Sequence, residues 1–316
     1  MAGRTAALTL ALVPQAADTW AVWPALRRPR AGLAAGIVGN FLLVSDGEPR
    51  ATTEALALDE GTPTGWGLAS ARDTAPGVAL AAFASTGVQL VMVGGSAGEF
   101  LPLTRAEEPT RGGLLPELYV PEPVRAAAGA WAPAAGEVLV FGGETYAGLT
   151  AGVQRLGLAA RRVTQGAAAP DPFAGAAAAV VGATAWVVGG YALQPDGAPV
   201  AVATVRRYDL AGNGWRVSGD GQPAAPPALP APRHSAALVA LAGKLWLLGG
   251  AGADGRPVAE VLRLDPTAAA PTWEVVTVLP TPRALLAAVA LGPRLVAIGG
   301  VGAAGQPLDT VEVYQP

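Results

Sequence analysis

Five apolar runs in this chain end in a Gly-Gly pair, and they recur at nearly one spacing. They are Val91–Gly95, Val138–Gly143, Ala185–Gly190, Leu245–Gly250 and Leu295–Gly300. A sixth, degenerate copy runs from Phe41 to Gly47, without the pair. With Ser45 taken as the counterpart of the first Gly, the steps are 49, 48, 47, 60 and 50 residues. A period of this length predicts a repeat architecture. Each unit is too small to bury its own apolar faces and must stack on its neighbours.

The flanks repeat too. Upstream lies a run of small apolar residues and a short turn, as in 234–244, 283–293 and 173–183. Downstream comes a polar loop, an alternating strand and often a Trp, as in Val205–Trp215 and Val261–Trp273. Each unit therefore reads as four antiparallel strands. Strand a is small and apolar, b ends in Gly-Gly, c often carries Arg or Tyr, and d starts near Trp. The uncharged stretch Pro172–Pro195 is long enough to span a bilayer. Its Ala and Gly content is weak for insertion, and its pattern is the recurrent hairpin, so no transmembrane span is expected.

These residues resemble the Kelch repeat, whose signature is Gly-Gly after an apolar strand, then Tyr or an apolar position, then Trp. Gly189-Gly190, Tyr208 and Trp215 match in full. Gly249-Gly250 and Trp273 match with Leu264 in the Tyr place, and Gly299-Gly300 with Tyr314 match up to the chain end. The copies at Gly94 and Gly142 lack a well-placed Trp, and the copy at Ser45 keeps Trp66. The resemblance implies an all-β, six-bladed Kelch-type β-propeller, each blade a four-stranded antiparallel sheet. Blade cores are expected near 30–70, 77–121, 125–166, 172–218, 233–280 and 283–316, in a single domain spanning 1–316. The last copy lacks strand d. Residues 17–26 are expected to supply it, which closes the ring and removes an open sheet edge. Residues 1–14 are then surplus, either a further strand or a short signal-like segment.

Composition excludes several chemistries. With no Cys, a disulfide scaffold, a zinc ribbon and a Cys nucleophile are out. One His leaves too little for a His-rich metal site or a Ser-His-Asp triad. A net charge of −3 gives no electrostatic footprint for nucleic acid. No GxSxG, P-loop or dinucleotide fingerprint occurs, so no cofactor is expected. The oxidase-type copper chemistry known in the Kelch family needs a Cys-linked Tyr and His ligands, and this chain lacks the material. Bacterial Kelch propellers are often extracytoplasmic, a location that a Cys-free chain tolerates.

Strand direction sorts the loops. The b–c loops and d–a connections share one face, and the a–b and c–d turns share the other. Arg30, Arg125, Arg233 and Arg283 all lie just before strand a, three of them directly after Pro. On this reading four guanidinium groups line the channel mouth, suited to a carboxylate, sulfate or phosphate. Alternatively they pair with acidic residues of the same face, where Asp46, Glu99 and Glu144 follow strand b. Tyr146 and Tyr191 lie in b–c loops there. His234, next to Ser235, reads as a structural residue. The Pro-rich stretch 218–232 is about ten residues longer than its equivalents. It overhangs the same mouth, as a lid, a docking arm or a passive insertion.

The function expected is a non-enzymatic binding or scaffold propeller. Its partner would be a protein, peptide, acidic small ligand or glycan. The alternative is a carbohydrate-acting Kelch enzyme of the sialic-acid mutarotase kind, using Glu144 with Arg233 or Arg283.

Overall fold

The computed structural model describes residues 15–47, 50–58, 63–76, 78–97, 104–107, 112–115, 118–222 and 225–316. Segment 1–14 and Glu99 lie outside these residues, as do Pro223 and Ala224 in the long connection. Among the described residues there is no α-helix, and the chain is an all-β propeller. No helix among the described residues is long and apolar enough to cross a membrane.

Among the described residues, six four-stranded antiparallel sheets follow one another along the chain. The first holds Ala34–Val38, Phe41–Ser45, Arg50–Ala57 and Gly67–Pro76. The second holds Ala82–Ser85, Leu90–Val93, Thr104–Glu107 and Gly112–Leu114. The third holds Ala128–Ala132, Glu137–Phe141, Val153–Gly157 and Arg162–Gln165. The fourth holds Ala177–Val181, Thr184–Val188, Val205–Asp209 and Gly214–Val217. The fifth holds Ala237–Leu241, Lys244–Leu248, Glu260–Leu264 and Glu274–Val278. The sixth takes Ala287–Leu291, Arg294–Ile298 and Val311–Gln315, and its outer strand is Thr19–Trp23 from the chain start. That strand pairs from Thr19 opposite Gln315 to Trp23 opposite Val311.

The core lies between sheets. Leu42, Val44 and Leu56 of the first sheet pack on Val289, Val296, Val311 and Val313 of the sixth. Strand b is buried on both faces, as in LVMV and TAWVV, because a neighbouring sheet covers each side. Tryptophans near the start of strand d reach across the gaps. The indole N–H of Trp66 donates to Pro24 O at 2.8 Å, that of Trp215 to Ala167 O at 2.8 Å, and that of Trp273 to Pro227 O at 3.2 Å.

Two backbone systems tie the sheets into a ring. In the first, the amide just after strand b donates to the lead-in of the next sheet. Gly47, Gly95, Gly143, Gly190, Gly250 and Gly300 bond the carbonyls of Val78, Val124, Phe173, Arg233, Arg283 and Arg30, at 2.8–3.0 Å. This pattern moves the degenerate copy by one residue. The counterpart of the first Gly is Asp46, not Ser45, because Asp46 has φ +56° and Gly47 follows at +82°. Aspartate is among the few residues with a side chain that tolerate that region.

The second system is a closed circle of six bonds round the axis. The N–H of Gly32 donates to Leu285 O, Leu285 to Ser235, Ser235 to Gly175, Gly175 to Ala126, Ala126 to Leu80, and Leu80 back to Gly32, at 2.7–3.0 Å. All six residues have positive φ, between +52° and +62°.

Candidate ligand site at the rim

The lead-in to each strand a is extended, so consecutive side chains point to opposite sides. The residue that clasps the preceding sheet points inward. Its occupants are Arg30, Val78, Val124, Phe173, Arg233 and Arg283. The next residue bridges to the chain just after strand b, as in Ala79 with Ser96, Arg125 with Glu144, Ala174 with Tyr191, His234 with Ala251 and Ala284 with Val301. Arg125 therefore belongs to a different register from the other three arginines. The sign was present in the sequence: Pro immediately precedes Arg30, Arg233 and Arg283, whereas Val124 separates Pro123 from Arg125.

The consequence corrects the expected ring of guanidinium groups. Arg30, Arg233 and Arg283 are buried, and each holds its own sheet together. Arg30 donates to the carbonyls of Asp46 and Thr52, both at 3.0 Å, and pairs with buried Glu54. Arg233 pairs with Glu260 at 2.5 Å and donates to Gly249 O at 3.4 Å. Arg283 lies 2.8 Å from Glu312 and donates to the carbonyls of Gly299 and Thr310. Burial lowers the pKa of Arg30 and of Arg283, and their carboxylate partners oppose the shift. Asp46 is itself buried, which removes it from the ligand face. A guanidinium already bound to carboxylate and carbonyl oxygens has little left for a ligand.

One strand c position carries the complementary group. It is Glu54 in the first sheet, Gln154 in the third, Arg206 in the fourth and Glu312 in the sixth, opposite Val44, Val140, Val187 and Ala297. In the fourth sheet the charges are exchanged. Phe173 occupies the lead-in, and Arg206 on strand c donates to Asp171 at 2.5 Å while lying 4.2 Å over the Phe173 ring. Gln154 instead bonds the Glu122 backbone, its amide donating to the carbonyl at 2.9 Å. Sequence reading missed Arg206 and Gln154, because b–c loops of different length place them 17 and 12 residues after the first Gly of their pairs.

A different constellation remains on the rim. At the outward lead-in position Ala31, Ala79, Ala174 and Ala284 are small, and only Arg125 and His234 carry polar side chains. Arg125 Nε donates to Glu144 Oε2 at 2.6 Å, with both side chains partly exposed. The Tyr191 hydroxyl donates to Glu144 Oε1. The Tyr191 ring meets His234 edge to face at 5.7 Å, and His234 Nδ1 lies 3.0 Å from Ser235 Oγ. Gly175 makes room for this arrangement, since a Cβ there would lie 2.7 Å from the Tyr191 ring. Desolvation and the bond to Glu144 push the Tyr191 hydroxyl well above the ordinary tyrosine range. Desolvation lowers the pKa of His234.

Two small b–c hairpins stand on the same side. Glu144–Thr145 pairs with Gly148–Leu149, and Tyr191–Leu193 pairs with Pro199–Ala201. Tyr146 at the first tip is 72% exposed, and Leu193 and Val200 on the second are also exposed. The long connection after Val217 is anchored along its second half. Leu229 is buried, and its amide donates to Ala203 O at 2.9 Å. Among the described residues no group of three or more His, Cys, Asp or Glu residues could hold a metal ion.

A family model for the Kelch motif matches residues 282–316, the sixth sheet's own repeat. The chain is a β-propeller that carries a Kelch motif. The propeller is similar to a solved structure titled "Structure of YjhT", with a TM-score of 0.73 and 15% sequence identity, over 92% of this chain and 95% of that one. At that identity the likeness concerns the fold alone. No curated protein matches this chain by sequence.

Proposed function

We propose that this chain is a six-bladed, single-domain propeller that acts as a non-catalytic binding scaffold for a protein or peptide segment. Its ligand face covers the third to fifth sheets. The observation that carries this reading is the confinement of outward polar lead-in residues to that sector, as Arg125 and His234, with alanine at the four other positions. The sector is preorganised, because Glu144 already binds Arg125 and Tyr191. Exposed Tyr146, Leu193 and Val200 surround it with apolar area. Arginine and tyrosine on a rigid base, bordered by apolar side chains, are the composition of binding hot spots.

The sugar-acting alternative needs Glu144 together with further arginines at one point. Arg233 and Arg283 are instead occupied by Glu260 and Glu312. That division favours the scaffold reading, and it also weakens an acidic small ligand as the partner.

The test is selection of peptides from a displayed library, run beside a glycan array. Selected ligands are then titrated against Tyr146→Ala and against the double variant Arg125→Ala/Tyr191→Phe. At least tenfold weaker peptide binding by both variants is expected. Peptides indifferent to both would overturn the assignment of the face. Glycan hits accompanied by interconversion of the sugar's anomers would overturn the absence of catalysis.

A further inference from the structure

The channel has a second end, and its chemistry differs from that of the rim. On the rim side the circle of six backbone hydrogen bonds narrows it. Gly32, Leu80, Ala126, Gly175, Ser235 and Leu285 surround a recess of about 90 Å³ there. A middle chamber of about 100 Å³ follows, walled mainly by alanines of strand a. The end at the a–b turns opens into a chamber of about 450 Å³.

The lining of this wide chamber is uneven. Ile37, Phe83 and Trp131 of the first three sheets form one wall, and Ala178, Ala240 and Ala290 of the other three face them. Two glycines bring the large side with its Phe83 close in. A Cβ on Gly36 would meet Ser85 at 2.5 Å, and one on Gly129 would meet the Phe83 backbone at 2.5 Å. The second sheet's inner strand therefore packs unusually tightly between its neighbours, and Phe83 borders all three chambers. None of the lining residues is charged. The one hydroxyl, Ser85 Oγ, already donates to Ile37 O at 2.5 Å.

We propose that this chamber is a binding site for an uncharged, ring-bearing apolar molecule. Three observations specify that class. The volume lies within the roughly 300–1,000 Å³ of small-molecule pockets. It is about three times the 150 Å³ of an apolar cavity that holds benzene, so a molecule of two or three rings fits. An aromatic wall facing a wall of alanines and smaller aliphatic side chains, Val180 and Leu238 among them, gives a slot for a planar ligand, with Trp131 and Phe83 as the stacking surfaces. A charged ligand would lose its hydration and find no counter-charge. The site lies at the opposite end from the rim and does not depend on the reading of the rim as a partner face.

The test uses N-phenyl-1-naphthylamine as the neutral probe and 8-anilinonaphthalene-1-sulfonate as its charged relative. Saturable binding of one neutral probe per chain is expected, with the sulfonate at least tenfold weaker. Ala240→Phe and Ala290→Phe each fill the chamber from a different sheet, and each is expected to weaken the neutral probe at least tenfold while circular dichroism shows an unchanged fold. Quenching of Trp131 emission by the probe, read as the difference between wild type and Trp131→Phe, needs no filled variant. Absence of saturable binding, undiminished binding in a folded Phe variant, equal affinity for the sulfonate, or no Trp131 difference each overturns the proposal.

Discussion

The amide of Gly190 donates to the carbonyl of Arg233 at 2.9 Å, across the boundary between the fourth and fifth sheets. Gly189, just before it, would place a Cβ 2.3 Å from the same oxygen. The Gly-Gly pair is thus a clasp as well as a turn. It lets the next sheet's lead-in lie directly on the end of strand b, and the inward residue of that lead-in is where the buried arginines lie.

Gly189→Ala tests the clasp against conformational freedom alone. Gly189 has φ +66° and a blocked Cβ site, whereas Gly182 has φ +60° and open space. The left-handed conformation by itself costs roughly 1–2 kcal/mol with a side chain. Gly182→Ala is expected to lose about that much in urea unfolding, and Gly189→Ala roughly 3 kcal/mol or more because the neighbouring backbone must move. Equal losses would refute the clasp.

Arg283→Ala strands the buried carboxylate of Glu312 and is expected to cost about 3–5 kcal/mol. The double variant Arg283→Met/Glu312→Leu should recover much of that, since it leaves no unpaired charge. Arg125→Ala breaks a half-exposed pair and should change stability by less than about 1 kcal/mol. Denaturant midpoints of the four proteins give the comparison. A loss for Arg125→Ala as large as that for Arg283→Ala would contradict the assignment of one to the core and the other to the rim.

His234 is the chain's one histidine, so its titration can be isolated. Desolvation beside the Tyr191 ring lowers its folded pKa, so the unfolded chain takes up the proton first. Stability from this group is present above the ordinary value of about 6.5 and is lost as pH falls through the lowered folded value. Melting temperature is expected to drop more steeply between about pH 7 and 5 in wild type than in His234→Asn. Parallel curves would show that the ring is not desolvated.

Removing residues 1–23 takes away the outer strand of the sixth sheet. It exposes the edge of Val311–Gln315 and the Tyr314 face, on which Trp20 packs at 5.1 Å. A melting temperature lower by ten degrees or more is expected, together with concentration-dependent self-association through the bare edge. An unchanged melting temperature in a monomeric protein would show that closure contributes little.

Much of the fold was legible because a repeat writes the same local rules several times. The glycine pairs, the small strand a residues and the late tryptophans mark the hairpins without reference to long-range contacts. The sharing of the sixth sheet by both chain ends followed from a missing strand at one end and a matching one at the other. The site was less legible. Four arginines before strand a looked equivalent, yet a one-residue difference in spacing from Pro sends Arg125 outward and the other three inward. Asp46 standing for a glycine shifted one copy by a residue in the same way.

The sequence by itself determined the repeat unit, its strand order and the closure, since these depend on periodic burial and turn chemistry within each unit. Only the tertiary structure decided which polar groups are used up in the core and which face solvent. That depends on what the paired strands and the neighbouring sheet place against each side chain. Glu260 and Glu312 lie 27 and 29 residues beyond the arginines they hold. Glu144 meets a tyrosine 47 residues away. The wide apolar chamber is likewise set by the inner strands of all six sheets at once, which no single repeat reveals.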